Sequence, residues 1–72
     1  MVNVNKLKGK IIEKGFSIEK VAQAINIDVS TLYRKLKNDG EKFTIKEADQ
    51  IVNFLLLDST EATSIFFSQF VA

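Results

Sequence analysis

The residues of this chain that could carry chemistry are concentrated in one stretch, DVSTLYRKL, at positions 28–36. Leu32 and Leu36 are spaced one helical turn apart, which predicts a helix that packs through the face they share. Ser30, Tyr33 and Arg34 then point outward, with scarcely an acid beside them. Hydroxyls and a guanidinium are hydrogen-bond donors, so this face is suited to binding a polar or anionic partner.

Catalysis would require acids, bases or nucleophiles that converge in a pocket. The chain has no histidine and no cysteine, and its three glycines form no phosphate-binding loop. Acids such as Asp58 and Glu61 stand where helix caps and solvated faces place them. We therefore expect no enzyme, no cofactor, no small-molecule substrate, no disulfide and no metal site of the ordinary zinc type.

The composition is that of one small ordered domain. The chain has 72 residues, of which 46% are hydrophobic and 26% charged, with no proline. The apolar stretch IVNFLLLD is far shorter than the roughly 20 residues that span a bilayer, and no signal peptide is visible. We expect a cytoplasmic protein that has no membrane partner.

The charge is unevenly distributed between the two halves. Residues 1–37 carry seven Lys and one Arg against three acids, a net charge of +5, whereas residues 38–72 carry two Lys against six acids, a net charge of −4. A basic half of this kind favours an anionic partner if its charges share one surface, and it is otherwise a chance asymmetry.

Capping residues divide the chain into five predicted helices. The first spans about 5–14 and ends at Gly15, which is free to take a positive φ. The second spans about 17–25, with Ser17 as its N-cap, and Asn26 tolerates the left-handed conformation that would end it. The third follows after a short turn and spans 28–37.

The fourth helix has the clearest start, because Thr44 and Glu47 form a capping box. Its predicted buried stripe comprises Ile45, Ala48, Ile51, Val52 and Leu55. Asp58 and Glu61 repeat the box at the start of a fifth helix that runs to about Gln69. A short strand in EKFTI is the alternative for the connection, and it competes poorly with the box. The expected fold is all-α, in a single domain.

The second and third helices are joined by a turn of three residues, an arrangement typical of a helix-turn-helix. Such a pair needs a small residue where the helices cross, and Ala22 supplies it. The turn needs a residue that tolerates positive φ, which Asn26 does, and Leu32 provides the apolar contact back to the first helix of the pair.

These segments resemble the Xre/Cro-type phage repressor family of DNA-binding domains. The likeness rests on SIEKVAQAINIDVSTLYRKL at 17–36 and TIKEADQIVNFLLL at 44–57, and with the first helix it covers essentially the whole chain. It implies a compact five-helix, lambda-repressor-like DNA-binding domain over residues 1–72, with the helix-turn-helix at 17–37. The closing segment DSTEATSIFFSQFVA also looks like the end of small phage-encoded repressor-like proteins. The family often has Gln at the position of Ile18, Gly at Asn26 and an apolar residue at Lys35.

The resemblance also implies roles for residues of the third helix, which would lie in the major groove of DNA. Its base-reading positions are Val29, Ser30, Tyr33 and Arg34. Contacts to the sugar-phosphate backbone are expected from Ser17, Lys35, Lys37 and Asn38. Positive charge is added by four lysines of the first helix, Lys6, Lys8, Lys10 and Lys14.

The function expected from the resemblance is sequence-specific binding of a double-stranded DNA operator by a transcriptional regulator. The regulator would be a phage or prophage repressor in the cytosol of a bacterial host. The alternative is a protein-interaction module of the same fold, an antirepressor-type partner that does not bind DNA. RNA binding ranks third, since no aromatic stacking platform of the usual kind is visible.

The last predicted helix is unusually apolar. Its stripe contains Phe66, Phe67, Phe70 and Val71, which is wider than a small four-helix core requires. One interpretation is that these side chains complete the core of a monomer. The other, which we favour, is that part of the stripe is buried in a homodimer, at least on DNA.

Overall fold

The computed structural model describes residues 2–37 and 43–67. These residues form five helices: α1 (Val4–Glu13), α2 (Ile18–Ala24), α3 (Val29–Lys37), α4 (Ile45–Leu55) and α5 (Ser59–Phe66). Throughout the described ranges there is no strand, and residues 43–44 simply lead into α4. The all-α prediction is confirmed.

The predicted end of the fifth helix, near Gln69, is wrong. Helix α5 ends at Phe66, and Phe67 has left helical geometry, with φ −129° and ψ 31°. No glycine, asparagine or proline marks this end in the sequence, so the apolar periodicity carried the prediction too far. Residues from Ser68 onward lie outside the described ranges.

In the described ranges, four helices begin at a residue whose side chain accepts a hydrogen bond from the backbone N–H three residues later. Asn3 and Ser17 accept the N–H groups of Lys6 and Lys20, each at 3.1 Å. The two predicted capping boxes are both formed. In the first, Thr44 and Glu47 exchange hydrogen bonds of 2.9 and 3.0 Å; in the second, Asp58 and Glu61 exchange bonds of 3.1 and 2.7 Å.

Three helices end on a residue in the left-handed region, which turns the chain sharply. Gly15 has φ 82° and Asn26 has φ 62°, as their residue types predict, and Leu56 has φ 55°, which its type does not. In each case the following N–H bonds to the carbonyl five residues earlier, at 3.0 Å: Phe16 to Ile11, Ile27 to Ala22 and Leu57 to Val52. At all three places this bond belongs to the pair of backbone hydrogen bonds that defines a Schellman ending, and the residue after the left-handed one is apolar.

The core is formed by apolar residues from all five helices, among them Leu7, Val21, Leu32, Ile51 and Ile65. The predicted stripe of α4 is buried at Ala48, Ile51 and Leu55, with Val52 partly so. Ile45 is a correction, because 81% of it is exposed. It opens the helix at the edge of the stripe, where its side chain leans toward the N-terminus and past the packed surface.

The first and last helices are tied to each other. The N–H of Asn3 donates to the carbonyl of Ile65 at 2.7 Å. Lys10 forms ion pairs with Glu61 and with Glu13. The Glu61 carboxylate raises the pKa of Lys10, and Lys10 in turn lowers the pKa of Glu61. The acids of the second half thus serve, in part, to hold the helices in place.

None of the helices in the described part of the chain is long and apolar enough to cross a membrane.

Candidate nucleic-acid interface

Helices α2 and α3 form one packed unit around a tight turn at residues 25–28. Ala22 is buried where the helices meet, and Leu32 and Leu36 are buried on the inner face of α3. The N–H of Ile27 bonds back to Ala22 and fixes the angle at which α3 leaves the turn. The helix-turn-helix predicted for residues 17–37 is therefore present, and its inner face is the predicted one.

The outer face of α3 carries all four residues predicted to read bases. Ser30 and Arg34 are exposed, Tyr33 is half-exposed, and Val29 is more than a third exposed. Within the described residues, Arg34 forms no ion pair and its guanidinium makes no hydrogen bond. Because no ion pair or hydrogen bond within the described residues has to be broken first, this guanidinium is available to an external acceptor.

An open groove of about 850 Å³ runs along the turn between α2 and the start of α3. Its lining includes Ser17, Lys20, Gln23 and Val29, so it adjoins the outer face of α3. Lys20 and Gln23 are exposed, lie one turn apart on α2, and were not among the predicted site residues. Their spacing on the polar side of α2 was the signal available in the sequence. Glu19 and Asp28 also line the groove, so among the described residues Lys20 is its one cation against two acids and the groove itself is not a positive surface.

The residues predicted to contact a nucleic-acid backbone are placed in different ways. Ser17 is exposed and caps α2 through its Oγ. Lys37 is exposed and shares a second groove, of about 380 Å³, with Asn5 and Lys8 of α1. Asn38 falls outside the described residues. Lys8 and Lys37 thus bring positive charge from α1 and α3 to one surface.

Lys35 does not have the position predicted for it. Its ammonium lies 3.0 Å from Oε1 of Glu47, and both side chains are only 15% exposed. The ammonium also stands 5.8 Å from the centre of the Phe43 ring. Lys35 lies on the side of α3 that faces α4, so its charge is engaged within the chain and withdrawn from the outer face.

The Glu47 carboxylate has two partners at once. Oε1 accepts the backbone N–H of Thr44 at 2.9 Å and the Lys35 ammonium at 3.0 Å. Partial burial would raise the pKa of Glu47, but the hydrogen bonds from Thr44 and Lys35 outweigh it, and the pKa is lowered. The negative charge of Glu47 is therefore stabilised in the folded chain.

The lysines of α1 divide into two groups. Lys10 is paired with Glu13 and Glu61. Lys6, Lys8 and Lys14 are exposed and have no ion pair with any residue that the structure describes. Of these three, Lys8 lies beside the helix-turn-helix, in the groove that it shares with Lys37.

The apolar residues predicted at a dimer interface are also divided. Phe66 is 5% exposed and meets Phe43 edge-on, with ring centres 6.1 Å apart. It belongs to the core of the single chain, which corrects its assignment to an interface. Phe67 is 41% exposed and lines a shallow apolar depression with Phe43 and Ile45. Phe70 and Val71 lie outside the described residues.

No cluster of three or more metal-binding side chains occurs in the ranges 2–37 and 43–67.

Comparisons with known proteins identify the kind of domain. A family model described as a Cro/C1-type HTH DNA-binding domain matches residues 6–61, which include most of α1, all of α2 to α4 and the start of α5. Neither the curated proteins nor the solved structures give a match to the chain. The matched region contains both helices of the helix-turn-helix, and it is most of the chain's length. On this evidence the chain belongs to the family of Cro/C1-type helix-turn-helix DNA-binding domains.

Proposed function

We propose that this protein regulates transcription by binding specific double-stranded DNA sequences, with α3 in the major groove. The family is one of DNA-binding domains. The observation that carries the sequence-specific part is the outer face of α3, where an exposed Arg34 has no partner among the described residues. A helix fits the major groove, which is about 12 Å wide, and its outward side chains meet base edges there.

Each residue of this face has a role suited to its chemistry. Arg34 binds O6 and N7 of a guanine through two N–H groups, the commonest specific contact. Ser30 donates to or accepts from a base edge, and Val29 packs on a thymine methyl group. Tyr33, at the edge of the face, reaches a base or a phosphate.

Contacts to phosphates position the helix without reading sequence. Lys37 and Lys8, which share a groove, are the cations placed to make them. Ser17 and Lys20 line the neighbouring groove at the start of α2 and extend the contact surface. Asn38 remains a candidate outside the described residues.

The regulator acts, in this proposal, as a phage or prophage repressor in a bacterial cytosol, and it binds a palindromic operator as a homodimer. A two-fold dimer places two recognition helices one DNA turn, about 34 Å, apart. The dimer gains affinity because its two linked helices bind two half-sites together, without any new contact to DNA.

The alternative, a protein-interaction module without DNA binding, would be favoured by an acidic second half whose charges were free to bind a partner. Three of those acids, Glu47, Asp58 and Glu61, have structural roles as helix caps and two of them also pair with lysines. Their presence is accounted for without a protein partner.

Selection of bound duplexes from a random pool tests the proposal directly. We expect enrichment of one short sequence, arranged as an inverted repeat, and competition by that sequence but not by a shuffled duplex of the same composition. A pool that stays random through successive rounds at moderate salt would contradict sequence-specific binding, and the protein-interaction function would then be favoured.

A further inference from the structure

Lys35 and Glu47 occupy an unusual place for a pair of charges. The Lys35 ammonium lies 3.0 Å from the Glu47 carboxylate and so joins α3 to α4, beside the aromatic ring of Phe43. With 15% of each side chain exposed, both groups have given up most of their water for each other.

The way α3 is seated explains why such a contact matters. Its buried residues are Leu32 and Leu36, a single row one turn apart. One row of apolar contacts restrains the rotation of a helix about its axis less than contacts on both sides of that row would. A roll of about 20° moves a side-chain tip at a radius of about 6 Å by roughly 2 Å, which exceeds the tolerance of a hydrogen bond.

The Lys35–Glu47 contact lies to one side of that row, where it resists the roll. Its far end is rigid, because the same Glu47 oxygen accepts the N–H of Thr44 in the capping box. Phe43, next to this cap, packs on Phe66 of α5. A continuous set of contacts therefore connects α3 to the start of α4 and to the core.

We propose that Lys35 and Glu47 are positioning residues that set the rotation of α3, and so control DNA affinity without touching DNA. The inference rests on the proposed function. It reverses the sequence-based expectation for Lys35, which was a phosphate contact. The positioning role and the phosphate-contact role of Lys35 predict opposite effects of Glu47 on DNA binding. If Lys35 positions α3, its ion pair with Glu47 strengthens binding. If Lys35 contacts a phosphate, the same ion pair competes with that contact and weakens binding.

The test compares four variants of the full chain on the selected operator across a range of salt concentrations. Glu47→Gln keeps the capping box, since Gln can accept the Thr44 N–H, and Lys35→Met keeps the length of the stem. Asp49→Asn is the matched control, because Asp49 is an exposed carboxylate on the same helix. Lys35→Arg is the conservative variant that retains a cation opposite Glu47.

We expect Glu47→Gln and Lys35→Met to weaken specific binding by about 2- to 30-fold relative to Asp49→Asn. The slope of log affinity against log salt concentration, called the salt slope below, should be unchanged. Specific binding should fall more than binding to a shuffled duplex, and Lys35→Arg should restore it. All measurements are made at a temperature where circular dichroism shows each variant fully folded. Tighter or equal binding by Glu47→Gln, or a slope reduced by about 0.9 in Lys35→Met, would overturn the positioning role.

Amide hydrogen exchange keeps this inference separate from the proposed function. In free protein, we expect amides of α3 to exchange faster in Glu47→Gln than in Asp49→Asn, while those of α2 are unchanged. If the parent chain selects no duplex, the proposed function fails, and exchange alone decides the positioning role. Exchange in α3 that is identical in the two variants would contradict it.

Discussion

Arg34 lies on the opposite side of α3 from the buried pair Leu32 and Leu36, so in the proposed complex it would be the side chain that enters deepest into the major groove. Replacing it with alanine should cost about 1–3 kcal/mol of binding free energy on the selected site and relax selectivity at one base pair. Lys37→Ala should instead weaken binding to all duplexes and reduce the salt slope by about 0.9. Titrations of operator and shuffled duplex measure both effects.

A control for charge is available in Lys46, an exposed cation on α4. Lys46→Ala makes the same change in net charge and should leave discrimination between the two duplexes unaltered. An Arg34→Ala protein that binds its operator as tightly as the parent would show that α3 is not the reading helix.

Leu56 is the residue whose type fits its backbone least well. A leucine in the left-handed region carries a strain of about 1–2 kcal/mol, and this side chain, largely exposed, has little packing to compensate. Leu56→Asn should therefore raise the free energy of unfolding by about 0.5–1 kcal/mol, because asparagine tolerates this conformation. The reverse change, Asn26→Leu, places leucine at the other non-glycine position with positive φ and should lower it. Urea unfolding of the two variants measures both changes in stability. An unchanged unfolding midpoint in either variant would contradict the backbone strain assigned to a leucine at positive φ.

At the scale of the element, α3 depends on its packing against α2. Leu32 is fully buried between them, and Leu32→Ala should cost roughly 2–5 kcal/mol. A domain of this size has a total stability of about 5 kcal/mol, so the variant should keep at most about 3 kcal/mol and melt well below the parent. Ile12→Ala is the control, because Ile12 is exposed and should change the melting temperature little. A Leu32→Ala protein that melts within a few degrees of the parent would place Leu32 outside the core.

Helix starts and the helix-turn-helix could be predicted from the sequence because their determinants are local. A capping box is complete within four residues, as at Thr44 and Glu47, and Asn26 announces a left-handed turn by its own type. The buried face of α3 followed from two leucines. The family resemblance rested on these same local signals, and the match to residues 6–61 confirms it.

Three of the wrong predictions concern features that depend on contacts distant in the chain. Whether Ile45 is covered depends on which element reaches the start of α4, and within the described ranges none covers it fully. Lys35 looked like an outward cation because its partner, Glu47, is twelve residues away on another helix. Phe66 and Phe67 are neighbours of the same type, and only the packing of α5 decides that the first is buried and the second exposed.

For the whole molecule, the proposed dimer is best tested at Phe67. With Ile45, it presents exposed apolar surface around the depression beside Phe43, which suits contact with a second copy. We expect light scattering of the parent to show dimers at high micromolar concentration, and Phe67→Asp to shift them to monomers. Ile12→Asp, an equal change at an exposed apolar residue of α1, should not.

The same pair of variants has a consequence on DNA. Phe67→Asp should lose the cooperative occupation of two half-sites and retain contact with one. A parent that stays monomeric at high concentration and protects a single half-site would contradict the dimer.

The tie between α1 and α5 joins residues that are far apart along the chain, Asn3 to Ile65 and Lys10 to Glu61. Docking these helices closes a loop of most of the chain, which costs entropy before any contact repays it. The unit of α2 and α3 involves only sequence neighbours. Local contacts of this kind form early. We therefore expect the barrier to folding to be crossed with the helix-turn-helix organised and α1 not yet docked on α5.

Chevron plots of Glu61→Gln make this order measurable. The change keeps the capping box and weakens the ion pair with Lys10, so it should accelerate unfolding by no more than about fivefold and leave the refolding rate unaltered. A slower refolding arm would mean that α1 and α5 meet before the barrier. With docking after the barrier, the lifetime of the folded protein is set by its first and last helices, while the speed with which it forms is set by the helix-turn-helix.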